Sequence, residues 1–69
     1  MKYIVMEIQD NGATVGNQVF AFDSVNDAEA KYHSILAAAA VSQVPCHSCV
    51  MLNSEGMMVK EPGCYKHGE

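Results

Sequence analysis

The chain has 69 residues, 49% of them hydrophobic, with eight acidic residues against four lysines and no arginine, for a formal net charge of −4. That length makes one domain with a thin core, burying about 60% of its unfolded surface, so self-association or a staple would help it. The scarcity of cations argues against non-specific nucleic-acid binding, and no apolar run approaches the ~20 residues of a membrane span.

Residues 2–9 alternate with period two and predict a strand, with Ile4, Met6 and Ile8 as the core face and Tyr3, Val5 and Glu7 opposite. The four apolar residues before Glu7 are too few for the apolar region of a signal peptide. Asp10-Asn11-Gly12 is a turn signal, because Asn and Gly tolerate positive φ. Residues 15–22 return as a second strand, with Phe20 and Phe22 on one face, Val19 and Ala21 on the other, and Gly16 marking a weak start.

Ser24 offers an N-cap, and Asp27 and Glu29 suit the positive end of a helix dipole. The helix is predicted to run to Gln43 or Val44, since Pro45 disfavours helical geometry in the residue before it. Val25, Ala28, Tyr32, Ile35, Leu36 and Ala39 form the stripe expected to pack on a sheet. The opposite side carries Asn26, Ala30, His33, Ala37, Ala40 and Val41, where a solvated helix would carry Glu and Lys. Alanine is also simply the best helix former. Residues 32–54 hold no Asp, Glu, Lys or Arg, and we expect Ala30, Ala37, Ala40 and Val41 to form a homo-oligomer interface.

Residues 47–53 predict a third strand, Asn53-Ser54-Glu55-Gly56 a turn, and 57–61 a fourth strand broken by Pro62-Gly63. The expected fold is α+β, a ββαββ two-layer domain in which two hairpins form an antiparallel sheet with one helix packed on it. Its parts are a hairpin over 1–23, a helix over 24–44, a hairpin over 46–61 and a tail over 62–69, one small domain spanning 1–69.

Three cysteines do not close a disulfide framework, and reduced thiols in a cytoplasmic protein are expected. Cys46-x2-Cys49 followed by Cys64-x2-His67 has the ligand types and near-ribbon spacing of a zinc site. The first pair runs into an apolar strand, however, and in a strand Cys46 and Cys49 point to opposite faces. Buried or incidental thiols are therefore preferred, with no cofactor expected and zinc on Cys46, Cys49, Cys64 and His67 as the alternative. No carboxylate–histidine pairing, phosphate loop or nucleophile elbow is apparent, so no catalytic residue is assigned and a non-enzymatic protein is expected. His33, at a possible oligomer cleft, is the histidine best placed to meet a ligand. Tyr65 and His67, with Lys66 between them, could close such a cleft from a neighbouring tail.

MKYIVMEIQ, AEAKYHSILAAAAVS, HSCVMLNSEG and the closing CYKH resemble a large group of very small proteins carried by phages and prophages of Firmicutes-type bacteria. The resemblance spans Met1 to His67 and is most specific in the helix. In that group the tail like Cys64-Tyr65-x-His67 recurs, whereas other residues often stand at Cys46 and Cys49, which weakens zinc further. The resemblance implies a non-enzymatic accessory protein of the host cytoplasm that counters antiviral defence by binding. Two forms of binding are expected: a homo-oligomer sequestering a nucleotide signal between subunits, with His33, Tyr65, Lys66 and His67 at the ligand, or a module docking on a host protein.

Overall fold

A computed structural model of the chain describes residues 2–67; Met1, Gly68 and Glu69, at the ends of the predicted first hairpin and tail, lie outside the described residues. Strands β1 (Tyr3–Asp10) and β2 (Val15–Phe22), helix α1 (Val25–Ala40), and strands β3 (Cys46–Asn53) and β4 (Gly63–Lys66) follow in chain order. The strands make one antiparallel sheet in the order β2-β1-β3-β4, and α1 packs on one face of it, mainly over β3 and β1. This is the α+β two-layer arrangement expected.

The first hairpin turns where Gly12 takes φ 94°, with the Asp10 carboxylate accepting from Gly12 N at 2.9 Å and the Asn11 side chain accepting from Ala13 N and Thr14 N. Such side-chain acceptors hold a tight turn without a longer loop. The register then places Val5 between Phe20 and Met51. Val5, Met51 and Cys49 are fully buried under Ala28, Tyr32 and Ile35, with Tyr3, Phe20, Phe22 and Leu36 packed around them. The core face of β1 is therefore Tyr3-Val5-Glu7, the reverse of the expected Ile4-Met6-Ile8. Both faces of β1 are apolar, so alternation alone leaves the choice open. The Phe20–Phe22 face of β2 settles it, because cross-strand partners must share a face.

Helix α1 starts at Ser24, whose hydroxyl accepts from Asp27 N at 3.5 Å. Its buried residues are Ala28, Tyr32, Ile35 and Ala39, with Leu36 half-buried; Val25 of the predicted stripe is exposed. The helix stops at Ala40, short of the predicted 43 or 44. Val41 N and Ser42 N donate to Ala38 O and Ala39 O, tightening the last turn. The Ser42 hydroxyl then accepts from Val44 N at 3.0 Å, a local bond that competes with continued helix.

The second hairpin differs most. Residues 57–61 do not form a strand: Leu52 and Met58 make one isolated bridge, after which the chain leaves the sheet. Two contacts with α1 draw it away, the Lys60–Glu29 ion pair and the Tyr32 hydroxyl donating to Glu61 O at 2.6 Å. The strand beside β3 is instead Gly63–Lys66, inside the predicted tail. Gly63 makes this approach feasible: a Cβ there would lie 2.5 Å from Leu36 Cδ2.

Candidate binding surfaces and polar clusters

Sheet alternation sorts the functional candidates into two sets. On the helix side, Glu7 of β1 lies opposite Cys49 of β3 and also meets His47. The His47 ring Nε2 donates to Glu7 Oε2 at 2.6 Å. Both side chains are largely buried, and His47 Nδ1 has no partner among the described residues. A carboxylate–histidine pair therefore does exist, contrary to the sequence reading, because partners 40 residues apart meet only once β1 and β3 pair. A carboxylate on imidazole supplies two of the three members of a hydrolytic triad. The neighbouring thiol does not complete it: burial, and then the negative charge of Glu7, push Cys49 up to about 11. It stays protonated at neutral pH, and the thiolate is the nucleophile. Next to this pair, Glu7, Gln9, Gly16, Asn17 and Gln18 line an open cleft of about 190 Å3. Its lining holds a carboxylate and no cation, which suits a phosphate poorly.

The tail residues lie on both faces. Tyr65 pairs with His47 in register, while Lys66 pairs with Cys46 on the other side. The Tyr65 and His67 rings stack at 6.3 Å with 4° between their planes. His67 has a structural task as well. Its ring Nε2 donates to Ala39 O at 2.8 Å, and its backbone N donates to Pro45 O at 2.7 Å. The ring thus gives a carbonyl in the last turn of α1 a second donor, beside Ser42 N. His33 is exposed on α1, edge-on to Tyr32 at 5.4 Å and four residues from Glu29.

The four residues named for zinc do not converge. Cys49 is buried beneath the helix, whereas Cys46 lies on the far face with Cys64. His67 is engaged with Ala39. Among the described residues no group of three or more His, Cys, Asp or Glu side chains gathers as a metal centre would require.

The proposed interface alanines, Ala30, Ala37 and Ala40, are exposed, and Val41 is 84% exposed. A second apolar surface lies on the other side of the molecule, which alternation on β1 alone did not reveal. Ile4, Met6 and Ile8 form its central row, flanked by Val19 and Ala21 of β2 and by Val50 and Leu52 of β3. Among the described residues no element of the fold covers it. Val19 is 55% and Met58 60% exposed, and Ile4, Met6, Ile8, Val50 and Leu52 are half-buried. Charges stand at its two ends, the Lys2–Asp23 pair at one and Asp10 and Lys66 at the other. No family model, curated protein or solved structure matches the chain. No helix among the described residues is long and apolar enough to cross a membrane.

Proposed function

We propose that this chain is a non-enzymatic binding module that self-associates and acts by contact, as an accessory protein of the phage and prophage kind it resembles, in the host cytoplasm. The bare sheet face carries this reading. The three eight-residue strands give a face of about 26 Å by 15 Å, of which the apolar rows from Ile4 to Ile8 take the middle half, about 200 Å2. Contiguous exposed apolar patches often mark interaction sites. An uncharged centre with charged ends is the anatomy of a protein interface. A second copy is the simplest occupant, since sheets pack face to face about 10 Å apart and a chain this small gains a second core layer from the contact. The test is solution mass by light scattering at micromolar concentration. Wild type is expected as a dimer or larger, and Val50→Glu as a monomer, because the carboxylate would lose its water at the contact. Wild type as a 7.5 kDa monomer would refute self-association.

A second reading, sequestration of a nucleotide signal, draws support from the Tyr65–His67 stack, an aromatic platform 41% exposed at Tyr65 to which a base could add. The ligand would lie at a subunit boundary, with His33 or Lys66 supplied there. A thermal-shift panel of cyclic nucleotides tests it, since a ligand specific for the folded form raises Tm by mass action. Tyr65→Ala should remove the response. A panel without a response leaves protein docking as the function.

A further inference from the structure

Cys46 and Cys64 are the residues the binding reading does not use. They meet at one corner of the bare face, where β3 and β4 pair, with their Sγ atoms 3.5 Å apart. Cys64 is exposed and Cys46 half-buried. The third thiol, Cys49, points through the sheet into the core and can reach neither. The odd cysteine count thus resolves into one facing pair and one isolated core thiol.

We infer that Cys46 and Cys64 form a redox-active dithiol that peroxides convert to an intrachain disulfide, clamping the edge strand β4 to β3. The exposed Cys64 sulfur, as thiolate, attacks the peroxide O–O bond; one oxygen leaves as water or alcohol and Cys64 becomes a sulfenic acid. Cys46 sulfur then attacks the Cys64 sulfur, the S–S bond forms and the sulfenic oxygen departs as water. Two thiols lose two protons and two electrons, and the peroxide takes up both. Cys46 suits the second role. Its hydrogen bond to the Cys64 sulfur, with burial next, raises its pKa and keeps it protonated longer. The sulfurs must close from 3.5 Å to the roughly 2.05 Å of a disulfide, a movement β4 can make as a four-residue edge strand. The product constrains a loop in which 17 residues separate the two cysteines. It fixes the strand that carries Tyr65 and leads into the helix-capping His67.

The test treats the full-length chain with hydrogen peroxide and counts free thiols after denaturation, with peptide mapping. The expected count falls from three to one, with a mass loss of about 2 Da, a mapped Cys46–Cys64 link and full recovery by dithiothreitol. The linked form should melt roughly 10 °C higher than the reduced form. Cys64→Ser, a change at an exposed position, should keep the fold and abolish the link. Three persisting thiols, sulfinic acids without a link, or links only between chains would overturn the dithiol. A link that leaves Tm unchanged would overturn the clamp.

Discussion

Cys49 has no room for a charge. It is fully buried between Glu7 and Gly63 in register and under α1, so its thiol titrates near 11 instead of 9.0. A folded-state value above the unfolded one means the stabilisation is complete below about pH 9 and is lost as pH rises through 11. The unfolding free energy from urea titrations should therefore fall between pH 9 and 11, by up to about 1.4 kcal/mol per pH unit. Cys49→Ala should be less stable at pH 7, through the small cavity it leaves, yet show a flatter alkaline limb. An unchanged limb in that variant would assign the loss to another group. Cys49 was legible as a buried small hydrophobe from its type. Its partner Glu7 was not, because an acidic residue in an apolar strand reads as solvent-facing until His47 is placed 2.6 Å from it.

At the scale of elements, β4 rests on contacts that local sequence does not announce. Gly63 sits where a Cβ would press on Leu36, within 3.2 Å of Cδ2, Cδ1 and Cγ. Gly63→Ala should cost about 1–3 kcal/mol as overpacking, and less in a Leu36→Ala background, where the obstructing side chain is gone. Equal costs in both backgrounds in urea unfolding would mean Leu36 is not the obstacle. The C-terminal end of α1 depends on the same strand, through the His67 ring on Ala39 O. His67→Ala should cost about 0.5–1.5 kcal/mol, and hydrogen exchange should quicken first in the last turn of the helix. Protection unchanged there would remove the capping role. The first hairpin, the helix start and most of its buried stripe were readable because turn residues, cap and 3.6-residue spacing all act locally. The helix end and the fourth strand were not, since Tyr32, Glu29 and Leu36 redirect the segment from outside it. Pro62-Gly63 reads as a breaker, and here it is the hinge by which the chain rejoins the sheet.

For the whole molecule, the two faces of the sheet differ. Among the described residues α1 covers one face of the four-stranded sheet, and no element covers Ile4, Met6, Ile8, Val19, Val50 and Leu52 on the other. The sequence suggested self-association through a small-residue helix face, but it assigned the core to the wrong side of β1 and so hid the apolar sheet face. The two candidates predict different mutants. If the sheet face carries the contact, Val50→Glu separates the copies and Ala37→Glu does not; if the helix face carries it, the pattern inverts. The most direct measurement is the light-scattering mass of wild type, Val50→Glu and Ala37→Glu side by side, with circular dichroism confirming that each is folded. The account predicts an oligomer for wild type and Ala37→Glu and a monomer for Val50→Glu. An oligomer that survives Val50→Glu, or a wild-type monomer, would contradict it.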